Sequence, residues 1–146
     1  MKLLILNGPN INMLGIREPD IYGARTYEDL KACIRKKADE LSLDVYFYQS
    51  NHEGALVDEI QKAYFDKVDG IVFNPAAYTH TSVALLDALK ATKIPCVEVH
   101  ISDPDSRDSF RKISYVREAC IKTVSGKGFD SYNEALSILK EHLENK

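Results

Sequence analysis

Across 146 residues, 45% of the side chains are hydrophobic and 28% charged, the balance of an ordinary globular chain able to bury its own core. A formal net charge of −3, with Lys and Arg forming no long run, gives no electrostatic footprint for nucleic acid or an anionic membrane. Met1-Lys2 is followed by only four strongly apolar residues and no stretch approaches a membrane span, so the cytoplasm is the expected compartment.

The first predicted element is a strand over residues 2–6, which breaks into the rigid turn chemistry of Asn7-Gly8-Pro9-Asn10 and then a stretch carrying Arg17 and Tyr22. Between those two lies Glu18-Pro19-Asp20-Ile21, where Pro followed by Asp favours a chain reversal that would fold both side chains over one pocket. A free phenol titrates at about 10, so Tyr22 needs a lowering worth about 4 kcal/mol to act as a base at neutral pH, and a neighbouring guanidinium would supply much of it. The other reading makes Tyr22-Gly23 an aromatic anchor in a surface loop.

A helix follows, with Thr26 as N-cap, Glu28 and Asp29 in the opening turn, and an apolar stripe of Tyr27, Leu30, Ile34, Ala38 and Leu41. Further strands are predicted over 44–48, 70–73, 95–99 and 120–124. Helical stripes run through Leu56, Ile60, Ala63 and Tyr64, through Val83, Leu86 and Leu89, and through Tyr132, Leu136, Leu139 and Leu143. Ser131-Tyr132-Asn133-Glu134 reads as the capping box of the last. Cys33, Cys96 and Cys120 have neither C-x-x-C nor C-x-x-H spacing and read as small buried apolar residues, so no metal site is expected. No repeat or linker interrupts residues 1–146, which are expected to form a single domain.

Strict alternation of strand and helix implies right-handed crossovers and a parallel sheet covered on both faces: an α/β, flavodoxin-like three-layer sandwich of strand order 2-1-3-4-5. Ligands of such sheets bind beyond the carboxyl ends of the strands, where the order reverses. That places residues 7–10, 74–82 and 100–102 around one crevice. His100 follows a strand whose Glu98 would fix its ring in one tautomer, unless the histidine is merely satisfied at a strand end. The Ile101 and Ser102 amides suit a carboxylate. His80 stands at a helix start, as a ligand residue or only a turn residue, and Asp87 follows two turns along the same predicted helix face. Arg107 and Arg111 are four apart, so a helix over 105–112 would set both on one face, either toward a small anionic or polyhydroxylated substrate or into solvent.

In order and spacing, Asn7-Gly8-Pro9-Asn10, Arg17-Glu18-Pro19, Tyr22-Gly23, Asn74-Pro75, Thr79-His80-Thr81-Ser82, Glu98-Val99-His100-Ile101-Ser102 and the pair Arg107 and Arg111 closely resemble the type II 3-dehydroquinate dehydratases over nearly the whole chain. The resemblance implies a lyase of the shikimate pathway, serving chorismate and aromatic amino acid biosynthesis. It would remove water from 3-dehydroquinate by anti elimination through an enolate, giving 3-dehydroshikimate without a cofactor. Tyr22 would take the proton next to the ketone, held as phenolate by Arg17, and Asn10 would steady the enolate oxygen through a water. His100 would protonate the departing hydroxyl with Glu98 orienting it. Asn74, His80 and Arg111 would bind the substrate's hydroxyls and ring, Ile101 and Ser102 its carboxylate, and Arg107 would close the pocket, with residues 14–24 as a lid. Asp87 would reach a neighbouring subunit's site in a homododecamer built as a tetramer of trimers.

Some positions depart from the family pattern. Ala76 stands where glycine is usual, which implies strain if that backbone needs a positive φ, and Asp103 replaces a usual asparagine, adding negative charge near the carboxylate site. Val116-Arg117-Glu118 and the run from Gly128 to Tyr132 also differ, and are expected to bear on oligomeric contacts more than on chemistry. Rival classes fit less well: Pro9 removes a donor a flavin phosphate loop needs, Asn74 stands where a phosphorylation receiver needs aspartate, and no G-x-S-x-G occurs.

Overall fold

The computed structural model describes residues 1–16 and 25–146. Along the chain run β1 (Lys2–Asn7), α1 (Tyr27–Glu40), β2 (Asp44–Gln49), α2 (Glu53–Phe65), β3 (Gly70–Asn74), α3 (Val83–Thr92), β4 (Cys96–His100), β5 (Lys122–Ser125) and α4 (Asp130–Glu144). All pairings are parallel and the order is β2-β1-β3-β4-β5, the flavodoxin-like α/β arrangement that the alternation predicts.

Side chains of a strand alternate between faces, so β1 divides its apolar run between two cores. Leu3 and Ile5 join Leu30, Ile34, Tyr132, Leu136 and Leu139 beneath α1 and α4. Leu4 and Leu6 join Leu56, Ile60, Phe73, Leu85 and Leu89 beneath α2 and α3. Full burial of such side chains is worth about 2 kcal/mol each, which holds the helices on the sheet and leaves its carboxyl edge for polar residues.

At α1 the Thr26 hydroxyl accepts from the Asp29 amide at 3.2 Å while the Asp29 carboxylate accepts from the Thr26 amide at 2.9 Å, a complete capping box. The box predicted for the last helix does not form. Ser131 lies inside the first turn of α4, buried, its hydroxyl accepting from the Lys127 amide at 3.1 Å, and Glu134 pairs with Lys127 at the surface. Two stripes also shift. Val83 is 49% exposed because α3 turns Leu85, Leu86, Ala88 and Leu89 inward, and Tyr64 is 53% exposed at the end of α2. The last strand starts at Lys122, two residues later than predicted, because a 3₁₀ turn over Val116–Ala119 ends in Cys120.

Candidate active site

Asn7, Asn74 and His100 end β1, β3 and β4, and Asn7 stands directly beside Asn74 in the ladder. Past them the loops after β1 and β3 part, opening a crevice partly open to solvent. Gly8 permits this closeness: its amide donates to the Asn74 carbonyl at 2.8 Å, and a Cβ there would meet the Pro75 oxygen at 2.4 Å. Asn10 follows in the left-handed region, φ 70°, its amide held by the Asn51 side chain at 3.0 Å, and lines the crevice.

His100 and Glu98 share a face of β4, two residues apart. The His100 Nε2 lies 2.5 Å from Glu98 Oε2, so with Nε2 committed to the carboxylate the other ring nitrogen, Nδ1, is the one left to exchange a proton with a ligand. Glu98 is wholly buried, yet four side chains satisfy it: besides His100, Ser114 donates at 2.9 Å, Arg117 at 3.0 Å and Thr123 at 3.1 Å. Burial alone would raise its pKa. The bonds from His100 and Arg117 outweigh burial and bring it down to about 2, so the carboxylate stays charged beside the imidazole.

Asn10, Asn74, His80, His100, Ile101, Ser102, Arg107 and Arg111 all line the one crevice. His80 Nδ1 donates to the Ile113 carbonyl at 2.7 Å. Burial, reinforced by Arg111, keeps its pKa below the ordinary 6.5 against the opposing pull of that bond, so it is neutral at pH 7. The helix predicted over 105–112 is absent: two 3₁₀ turns, Pro104–Ser106 and Ser109–Lys112, are separated by extended Arg107 and Asp108. Both arginines reach the crevice nonetheless, Arg111 with its buried Nε 3.6 Å from Asp108.

Asp87 does not share a helix with His80, because Ser82 caps a new one, its hydroxyl accepting from the Leu85 amide. Asp87 is exposed and does not line the crevice. The Asp103 carboxylate is engaged in capping the Pro104 turn through the Asp105 amide at 3.0 Å rather than facing the crevice. Arg17 and Tyr22 lie outside the described residues, as does most of the predicted lid.

The profile of the class II dehydroquinases matches residues 1–140. The chain belongs to this family. It is 53% identical to the 3-dehydroquinate dehydratase of Caldicellulosiruptor bescii over 98% of this chain and 99% of that one, and 47% identical to that of Clostridium perfringens over the full length of both. The crystal structure of the type II dehydroquinase from Butyrivibrio crossotus superposes with a TM-score of 0.93 at 48% identity, covering 95% of this chain and 97% of that one.

Within this dehydroquinase fold, two functional features escaped the sequence reading. Arg117, a departure expected to bear on oligomeric contacts, donates to Glu98 and so helps hold the Glu98–His100 pair. Tyr132, read as an apolar stripe residue at the end of the departing run from Gly128, joins Asn7 to Asn74 under the crevice floor. A tyrosine in an otherwise apolar stripe is itself a signal, since a buried phenol needs a partner.

Proposed function

We propose that the protein is a type II 3-dehydroquinate dehydratase, converting 3-dehydroquinate to 3-dehydroshikimate in the shikimate pathway. The observation that carries this is the buried, ionised Glu98 against His100 at the edge of a crevice lined by Asn74, His80, Arg107 and Arg111, in a chain of this family. Tyr22 as phenolate, beside Arg17, takes the proton from the carbon next to the ketone. The electron pair moves toward the ketone oxygen, where Asn10 stabilises the enolate through a water. Collapse of the enolate expels the hydroxyl on the neighbouring carbon, which leaves as water with a proton from His100. Glu98 holds the imidazole in register. The Ile101 and Ser102 amides suit the substrate's carboxylate, Asn74, His80 and Arg111 suit its hydroxyls and ring, and Arg107 closes the pocket.

The wider reading adds a single catalytic domain, cytoplasmic location and a homododecamer in which Asp87 meets a neighbouring site. Mixing the protein with 3-dehydroquinate and following the ultraviolet absorbance of the conjugated product tests the activity. A rise in absorbance is expected, and its absence from folded protein would sink the reading. Tyr22→Phe is expected to abolish turnover while substrate analogues still bind; retained turnover would remove Tyr22 from the mechanism.

A further inference from the structure

Beneath the crevice floor lies a chain of buried polar groups that the elimination itself does not use. Tyr132, on the first turn of α4, is 0% exposed. Its hydroxyl donates to Asn7 Oδ1 at 2.6 Å and accepts from Asn74 Nδ2 at 2.9 Å. Asn7 Nδ2 in turn reaches the Tyr27 hydroxyl at 3.5 Å. At the other end of the Asn74 amide, Oδ1 accepts from the Ala76 backbone at 3.1 Å.

These contacts leave one arrangement for the Asn74 side chain. Turning the amide over would set its NH₂ against the Ala76 N–H, donor to donor, and its oxygen against a phenol whose hydrogen is already given to Asn7. Asn74 therefore keeps its oxygen on Ala76 and one amide hydrogen on Tyr132. A second Nδ2 hydrogen then remains as a donor to a ligand in the crevice it lines.

We propose that Tyr132 is a positioning residue for ligand recognition: through the Asn7–Tyr132–Asn74 chain it makes Asn74 a hydrogen-bond donor, selecting an oxygen acceptor on the substrate. This rests on the dehydratase reading only for the choice of substrate in the test. A binding contact formed equally in ground and transition states appears in KM and spares kcat. Losing one well-placed hydrogen bond is worth up to about 1.4 kcal/mol, which is about tenfold.

The experiment is steady-state kinetics with 3-dehydroquinate on wild type, Tyr132→Phe, Asn74→Ala and the double variant. Tyr132→Phe is expected to raise KM about tenfold with kcat within about threefold of wild type, and to add nothing in the Asn74→Ala background. Should the phenylalanine variant not fold, Asn7→Ala keeps the phenol in the core but removes the acceptor that turns its hydroxyl, and is expected to raise KM about threefold. A KM that depends on Asn74 but on neither Tyr132 nor Asn7 overturns the positioning role, as does a kcat loss of equal size in both backgrounds. Folded wild type without turnover would instead remove the dehydratase reading itself.

Discussion

At Ala76 the backbone enters the left-handed region, φ 53°, where a Cβ crowds the following carbonyl. The strain implied by an alanine in a glycine position is therefore present, and it sits next to the amide that holds Asn74. Replacing an L-residue by glycine at such a φ relieves about 1–2 kcal/mol, while glycine's extra unfolded-state freedom takes back roughly half. Ala76→Gly is expected to raise the unfolding free energy by about 1 kcal/mol in urea titrations, and a loss of stability would show that the methyl's packing outweighs the strain. At this scale the sequence was legible wherever neighbours in the chain are neighbours in space. Glu98 and His100 are two apart on a strand, so their contact follows from the strand period alone. Arg117 reaches Glu98 only because the segment between β4 and β5 folds back onto the strand, and no local pattern encodes that return.

Helix ends separate what local chemistry determines from what packing overrides. Thr26 and Asp29 satisfy each other's amides, and their spacing alone announces the start of α1. Ser131 and Glu134 have the same spacing, yet α4 begins at Asp130, with Phe129 as N-cap and buried in the core. Placing Phe129 and Tyr132 together in that core fixes the helix start, and the pattern at Ser131 is incidental. The two motifs should thus respond differently to alanine. Thr26→Ala is expected to cost about 1 kcal/mol, read as a lowered Tm, because the Asp29 amide loses the hydroxyl that caps it. Glu134→Ala breaks only a half-exposed ion pair with Lys127 and is expected to cost under about 0.5 kcal/mol. Equal losses would restore the capping box at Ser131. The 105–112 region was misread for a related reason: Asp103 and Pro104 start a turn, but extended Arg107 and Asp108 stop it from growing into a helix, and the four-residue spacing of the arginines carried no helix with it.

For the whole molecule, the residue that holds His100 also joins separate parts of the fold. Glu98 on β4 binds Thr123 on β5 and both Ser114 and Arg117 from the connection between those strands. These bonds favour the charged carboxylate, so its folded pKa, about 2, lies below the ordinary 4.5. Between those values the unfolded chain binds a proton that the folded chain refuses, so stability is full above about pH 4.5 and falls as the pH drops toward 2. The gap corresponds to roughly 3 kcal/mol. His80 acts in the same direction at higher pH: held below 6.5 by burial, it resists the proton that the unfolded chain takes up, so the decline begins below about pH 6.5. Chemical denaturation at intervals from pH 7 to pH 3 is expected to show this two-stage loss. Glu98→Gln has no carboxylate to titrate there, so although weaker at neutral pH it is expected to show a flatter profile below pH 4.5. A variant with the wild-type slope would mean that other carboxylates govern acid unfolding and that the cluster around Glu98 serves only to hold His100.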